Sequence, residues 1–152
     1  MIASTMVGLA SISVSADDAA GGNDAGDTEI TATTIPMENT WYGGTVNSYD
    51  DQFDYYQILI DAGESMKIEV VGPQTDSIDF GWRVKTVSGS YSTSVIQYGN
   101  TYTFTAQNTD TSTDHPLYLM FENNHSPVDY EYCFKVNHVN NMTSPQNTNP
   151  CV

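Results

Sequence analysis

The chain has 152 residues, enough for one domain with its own core and some additional length. Nineteen acidic and four basic residues give a formal net charge of −15 at pH 7. Phosphate binding needs a basic surface, so this charge excludes nucleic acid as a partner and disfavours an anionic membrane surface. It is typical of an acidic secreted protein that stays soluble in salt or binds multivalent cations.

Residues 1–16 are apolar and small, and two interpretations stay open. They match the hydrophobic part of a secretory signal that ends in a small-residue cleavage site, although no basic residue precedes Lys67. Alternatively they are retained as a strand that pairs with another subunit, with Ser11, Ser13 and Ser15 on one parity and apolar residues on the other. Sixteen residues that include Gly, Ser and Thr are too short for a membrane-spanning helix. The residues of the apolar parity are Ile2, Met6, Ile12 and Val14.

Residues 17–36 carry Ala, Gly, Asp and Thr without apolar periodicity, so we expect a flexible acidic linker there. Within it, the β-branched run 30–35 predicts a short strand before Pro36. The domain proper is expected over residues 37–140. Residues 141–152 form a tail rich in Asn and Pro.

The stretch 50–72 has the clearest pattern in the chain and predicts a β-hairpin. Apolar and polar residues alternate on both sides of Ala62-Gly63-Glu64, where Gly63 is free to adopt the positive φ of a tight turn. We expect each strand to present one apolar face to the core. These faces consist of Tyr56, Ile58 and Ile60 in the first strand and Met66, Ile68 and Val70 in the second.

The same period of two recurs along the rest of the chain as far as residue 136. Gly99-Asn100 marks a second hairpin turn. All four basic residues, Lys67, Arg83, Lys85 and Lys135, fall on the outward parity of the predicted strands. Seven to nine short strands without a helical stretch predict an all-β, antiparallel sandwich. The later inward-facing residues are Phe80, Trp82, Val84, Leu117, Leu119, Phe121, Tyr130, Tyr132, Phe134 and Val136.

Several short motifs occur in a distinctive order between Trp41 and His138. An Asp-Tyr-Tyr-x-Ile strand is followed by the Ala-Gly-Glu turn, a Met-x-Ile-x-Val strand, an Asp-x-x-Asp-Phe entry, a Pro-Leu-Tyr-Leu strand and a closing Tyr-x-Tyr-x-Phe-x-Val strand. This order resembles the bacterial and archaeal pre-peptidase C-terminal domain family. The resemblance implies a jelly-roll-like β-sandwich of a secreted protein, with relatives that sit beside hydrolases or bind calcium or extracellular polymers. No catalytic domain accompanies the module here, which favours a stand-alone surface or assembly role.

Five aspartates near predicted strand entries are candidate ligands of a calcium ion. Carboxylates and loop carbonyls suit a hard cation, and strand-end positions can bring such loops together. Their spacing matches no regular calcium loop, so solvated acids that flank strands are an alternative. Another alternative is hydrogen bonding from Asp54 and Asp79 to nearby amides or hydroxyls. The candidate ligands are Asp50, Asp51, Asp54, Asp76 and Asp79.

The two cysteines favour one intrachain disulfide, between Cys133 in the last predicted strand and Cys151 in the tail. This bond would clip the tail over the sheet. An intermolecular bond and two free thiols are the alternatives. Asn124 and Asn141 each begin an Asn-x-Ser/Thr pattern and are candidate glycosylation sites of an extracellular protein.

The chain contains no recognisable catalytic constellation. The three histidines lie in predicted loops or at a strand end, and neither a Gly-x-Ser-x-Gly elbow nor a His-Glu-x-x-His motif occurs. We therefore expect a protein without enzymatic activity.

The function favoured by these patterns is that of an extracellular structural subunit in a cell-surface assembly or pilus-like filament. Copies of the chain would be joined by donation of residues 1–16 as a strand to a neighbour. The alternative is a secreted accessory module that binds polysaccharide, protein polymer or calcium, with tyrosines that stack on a surface glycan. The tyrosines free for such a role are Tyr42, Tyr55, Tyr91, Tyr98 and Tyr118.

Overall fold

The computed structural model describes residues 25–36, 41–49, 51–73, 80–86, 91–98, 101–123 and 127–139. These residues form nine strands and no α-helix, and none of them belongs to a helix able to cross a membrane. The strands are β1 (Thr33–Thr34), β2 (Trp41–Val46), β3 (Phe53–Ile60), β4 (Ser65–Val71), β5 (Phe80–Thr86), β6 (Tyr91–Tyr98), β7 (Thr101–Asn108), β8 (His115–Asn123) and β9 (Tyr130–His138).

The strands form two sheets that pack face to face, so the expected β-sandwich is confirmed. Sheet A has the order β1-β3-β8-β5, and sheet B has the order β2-β9-β4-β7-β6. All pairs are antiparallel except that of β1 with β3, which is parallel and two residues long. Sheet A therefore contains three full-length strands against the five of sheet B.

The core lies between the sheets and follows the predicted alternation. Residues of alternate positions in β3, β4, β8 and β9 are buried, and an aromatic cluster occupies the centre. Phe121 of β8 stacks on Tyr132 of β9 with ring centroids 3.7 Å apart, and Tyr56 contacts Phe134 at 4.6 Å. Aromatic pairs across the two sheets join the layers by large buried areas and offset ring contacts.

The predicted hairpin of residues 50–72 is wrong, because β3 and β4 do not pair with each other. β3 pairs with β8 in sheet A, while β4 pairs with β7 and β9 in sheet B. The chain crosses from one sheet to the other at the predicted turn, where Gly63 has a φ of 74° as expected. Alternation specifies which face of a strand is buried and leaves its pairing partner open. The two apolar faces therefore meet across the core.

Residues 25–36 pack on the sandwich, in contrast to the flexible linker expected for 17–36. Ala25 and Ile35 are buried in the core, and the predicted short strand is present as β1. The Ile35 amide donates to the Gln57 carbonyl at 2.8 Å, beside the parallel pairing of Thr33 with Tyr56. A few apolar residues within a polar stretch suffice to dock it, although they give no periodicity.

The predicted second hairpin and the outward position of the basic residues agree with the structure. β6 and β7 pair antiparallel from Tyr98–Thr101 onward, on either side of Gly99-Asn100. Arg83 and Lys85 are exposed on the outer face of sheet A. Lys135 also points outward, yet it is buried over the ring of Trp41, with Nζ 4.9 Å from the ring centroid.

Candidate functional site

A buried carboxylate lies at the centre of the core. Asp54 is on the inward parity of β3 and is fully buried. The Tyr132 hydroxyl donates to Asp54 Oδ2 at 2.5 Å and lies 2.7 Å from the Tyr56 hydroxyl. Since Tyr132 has a single hydroxyl proton, Tyr56 is the donor in the second bond. Burial, with the nearby Tyr56 and Asp54, raises the pKa of Tyr132 well above its ordinary value.

This chain of hydroxyls bears on the proposed calcium ligands. Asp54 hydrogen-bonds a hydroxyl inside the core, as in the alternative interpretation, and the Asp51 carbonyl accepts from the Asn47 amide at 2.8 Å. Asp50, Asp76 and Asp79 lie outside the described residues. Within the described ranges, no three His, Cys, Asp or Glu side chains are grouped to hold a metal ion. Of the five candidate ligands only Asp51 and Asp54 lie within these ranges, and calcium binding by the full set stays a prediction.

A second polar centre holds the turn between β3 and β4 against the connection from β7 to β8. Asn108, at the end of β7, is fully buried. Its Nδ2 donates to the carbonyls of Ile60, Asp61 and Thr113 at 3.1, 3.2 and 2.8 Å. Its Oδ1 accepts from the Asp110 amide at 3.0 Å. One amide side chain therefore satisfies backbone groups of two connections that would otherwise be buried without partners.

The β7–β8 connection carries a strongly acidic carboxyl group. Asp110 Oδ1 accepts from the Ser112 hydroxyl at 2.7 Å and from the Ser112 amide at 2.9 Å, and Oδ2 lies 3.2 Å from His115 Nε2. These bonds lower the pKa of Asp110 from 3.8 to about 2, with the Ser112 hydroxyl as the largest cause. His115, the first residue of β8, is thus hydrogen-bonded to the connection that precedes its strand.

The edge strand β5 has an apolar side that the sandwich covers only in part. Phe80, Trp82 and Val84 point inward and pack against the core cluster, but each remains half-buried. Trp82 contacts Tyr102 of β7 edge-to-face, with ring centroids 5.4 Å apart. Among the described strands only β8 pairs with β5, so its other edge has no strand partner among them. This edge is a place where another strand can be added.

The outer face of sheet A combines aromatic and charged residues. Gln57 of β3 lies directly opposite Tyr118 of β8, and Tyr55 is one residue pair further along the same face. Both tyrosines are half-buried. Arg83 donates from Nη2 to both carboxylate oxygens of Glu122, at 2.6 and 2.5 Å. Two half-buried tyrosines, an amide and an arginine therefore share the outer face of sheet A.

The tyrosine Tyr42 does not belong to any such surface, contrary to expectation. Its ring stacks on Phe134 with centroids 5.5 Å apart and packs against the core. The side chains of Tyr91 and Tyr98 lie outside the described part of the structure.

The outer face of sheet B is buried around the last strand. Cys133 and Lys135 have the outward parity of β9, and Val71 of β4 pairs with Cys133. Their exposed fractions are 0, 5 and 4 % for Cys133, Lys135 and Val71. This part of the outer face of sheet B is therefore hardly exposed to solvent. The predicted partner Cys151 lies outside the described residues, as do Asn124, Asn141, Ile2, Met6, Ile12 and Val14.

Comparison with known proteins supports the fold. No protein-family model and no curated protein matches the chain. Among solved structures it is similar to the crystal structure of the pre-peptidase C-terminal domain of a collagenase from Bacillus anthracis. The TM-score is 0.50 at 18% sequence identity, over 69% of this chain and 93% of that domain. At this identity the likeness shows a shared β-sandwich fold.

Proposed function

We propose that this protein is a non-catalytic extracellular subunit of a cell-surface assembly, and that copies are joined by donation of residues 1–16 as a strand. The observation that carries the proposal is the unequal size of the two sheets. Among the described residues, sheet A has three full-length strands and the two-residue β1, and it faces a sheet of five strands. A strand added to sheet A would cover apolar side chains that the described residues leave half-buried.

The N-terminal segment has the properties that such an added strand requires. It carries no charged residue, and it places Ile2, Met6, Ile12 and Val14 on one parity. In an added strand one parity faces the core and the other faces solvent, which suits Ser11, Ser13 and Ser15 in the second half of the segment, while Val7 and Leu9 share their parity in the first half. Backbone hydrogen bonds would provide affinity, and the alternating apolar side chains would provide specificity.

Membership of the pre-peptidase C-terminal domain family and an extracellular location are parts of the same proposal. The fold likeness to a pre-peptidase C-terminal domain and the motif order between residues 41 and 138 support family membership. The net charge of −15 and the candidate glycosylation sites at Asn124 and Asn141 support an extracellular location.

The test is N-terminal sequencing and intact mass of the native protein, with negative-stain microscopy of the same sample. We expect residues 1–16 to be present in the mature chain and the sample to contain fibres or regular arrays. A mature chain that begins near Asp17 and stays monomeric would contradict the proposal. It would leave residues 1–16 as a secretory signal.

A second candidate function is supported by the outer face of sheet A. There the half-buried Tyr55, Gln57 and Tyr118 are neighbours on one face, and tyrosine rings on such a face can stack on sugar rings. An accessory module for polysaccharide would lose retention on a polysaccharide affinity gel when Tyr55 and Tyr118 are both changed to Ala. Tyr49→Ala is the matched control, because Tyr49 is 81% exposed and is outside this face. Equal retention of both variants would exclude this face as the binding surface.

A further inference from the structure

We propose that the open edge of β5 is the acceptor site for residues 1–16 of a second copy of this chain. The inference rests on the proposed function and identifies where the donated strand binds. In this arrangement Ile12 and Val14 of the donor lie beside Trp82 and Val84 of the acceptor. The donor serines then share the outer face with Arg83 and Lys85.

The edges of the two sheets differ in how far they are already covered. The β3 edge is occupied, because the Tyr55 amide donates to the Gly26 carbonyl and the Gln57 carbonyl accepts from the Ile35 amide. At the β2 edge the inward-facing Gly44 and Val46 are already buried and Tyr42 alone is half-buried, so an added strand would cover less apolar surface there than beside the three half-buried side chains of β5. The described side chains thus favour β5.

The inward side chains of β5 face sheet B and are only partly covered by it. Trp82 and Val84 are half-buried, and Tyr102 of sheet B lies across from them in contact with Trp82. Because Trp82 of β5 contacts Tyr102 of β7, a strand added beside β5 would extend sheet A towards β6, the next strand of sheet B. Its inward side chains would therefore bury the exposed parts of Trp82, Val84 and Tyr102 against sheet B.

The outer face of β5 is compatible with an uncharged, small-residue neighbour. Arg83 and Lys85 are held in ion pairs with Glu122 and Glu29, so neither needs a carboxylate from the donor. Exposed charges on an edge strand disfavour non-specific pairing with strands of other proteins. The serines at 11, 13 and 15 leave room for these long side chains.

The position of the acceptor edge gives the assembly its direction. The described chain begins at Ala25, next to β3, and Gly26 bonds the edge of β3 that faces away from β8. Residues 1–24 thus precede a chain that enters sheet A at one edge, while β5 is the opposite edge. Because donor and acceptor use different surfaces, the contact is heterologous and adds subunits head to tail.

The test uses full-length chains with a defective donor or a defective acceptor. The donor variant carries Ile12→Asp and Val14→Asp, and its matched control carries Ser11→Asp and Ser13→Asp, which add the same charge on the opposite parity. The acceptor variant carries Val84→Asp. Each defective chain should be monomeric by sedimentation, with association at least about a hundredfold weaker than in the native chain. A mixture of the two should form dimers only, since one working contact remains.

The outcomes separate the acceptor site from the proposed function. If neither the native chain nor the Ser control assembles, or if the donor variant assembles normally, strand donation itself is wrong. If the donor variant is monomeric but a folded Val84→Asp chain still assembles, donation stands and the β5 acceptor is wrong. Circular dichroism of Val84→Asp establishes whether that variant is folded.

A photo-crosslinking amino acid at position 14 of the otherwise native chain gives an answer that does not depend on the folding of a β5 variant. We expect cross-links between chains to residues 80–86 or to Tyr102, mapped by mass spectrometry. Cross-links confined to another edge would overturn the proposal. Cross-links within a single chain in a monomeric sample would do the same, because they would place the segment on its own subunit.

Discussion

At the scale of single residues, the core of this protein depends on one carboxylate and two hydroxyls. Asp54 accepts a bond from Tyr132, which in turn accepts one from Tyr56, and all three residues are buried. A buried carboxylate without such donors would be strongly destabilising. The two tyrosines join sheet A to sheet B through these polar bonds as well as through their rings.

Tyr132→Phe tests the contribution of this chain of hydroxyls. The substitution keeps the ring stacked on Phe121 but removes the donor to Asp54 and the acceptor for Tyr56, so we expect a loss of about 1–3 kcal/mol in the free energy of unfolding. Urea denaturation measures it. Tyr118→Phe, on the outer face, is the control and should change stability by less than about 0.5 kcal/mol. Equal effects of the two substitutions would mean that the buried bonds add nothing.

Asp110 gives a prediction for acid pH. The fold lowers the pKa of Asp110 from its ordinary value of 3.8 to about 2. At pH values above about 3.8 the ionised carboxyl group therefore stabilises the folded protein. This contribution is lost as the pH falls from about 4 through about 2. Asp110→Asn should therefore be less stable than the native chain near pH 6, and the difference should shrink as the pH falls and be lost below about pH 2. Unfolding curves at several pH values measure the difference.

A direct titration of Asp110 tests which group lowers its pKa. Carbon NMR of the carboxyl group should give a midpoint near 2 in the native chain. In Ser112→Ala the midpoint should rise towards 3.8, because the Ser112 hydroxyl is the largest cause of the shift. An unchanged midpoint would assign the shift to another group.

At the scale of elements, the crossing from β3 to β4 is the feature that organises the sandwich. Gly63 supplies the positive φ, its amide donates to the Asp110 carbonyl at 2.8 Å, and the Ala62 amide donates to Asp114 Oδ1 at 2.9 Å. The turn is thus tied to the connection between β7 and β8, which also passes from sheet B to sheet A. The buried Asn108 side chain hydrogen-bonds backbone carbonyls at both crossings.

Asn108→Asp tests this arrangement at constant side-chain shape. A carboxylate would face the carbonyls of Ile60, Asp61 and Thr113 without a proton to donate, so we expect a loss of about 3 kcal/mol or more in unfolding free energy. Asn47→Asp is the matched control. The Asn47 side chain accepts from the Tyr49 amide in an exposed turn, and a carboxylate keeps that bond. A similar small effect for both would show that Asn108 is not required for the crossing.

At the scale of the whole molecule, the buried outer face around Cys133 supports the predicted disulfide with Cys151. A bond that closes this C-terminal loop would hold the tail over β9. We expect reduction to lower the unfolding free energy by about 3 kcal/mol. Unfolding with and without reductant measures the loss, and Cys151→Ser should be equally destabilised and insensitive to reductant. Alkylation of both cysteines in the unreduced, unfolded chain would exclude the bond.

The predicted and observed architectures agree on which residues are buried and differ in which strands pair. The period-two alternation placed Tyr56, Ile68 and Phe134 in the core correctly, because burial of one face is a local property of each strand. The pairing of β3 with β8 and the hydrogen bond between Asp54 and Tyr132 join residues more than 50 positions apart. Such contacts leave no periodic signal in either segment.

The sequence alone determined the strand content, the inward faces, the position of the Gly63 turn and the overall β-sandwich, because alternation and turn chemistry act over a few neighbouring residues. Only the tertiary structure decided that β3 and β4 belong to different sheets, that Asn108 joins two crossings and that β5 keeps a half-covered apolar edge. Each of these depends on how many strands each sheet contains and where the sheets meet. That is a property of long-range packing, and one strand's pattern is compatible with several such arrangements.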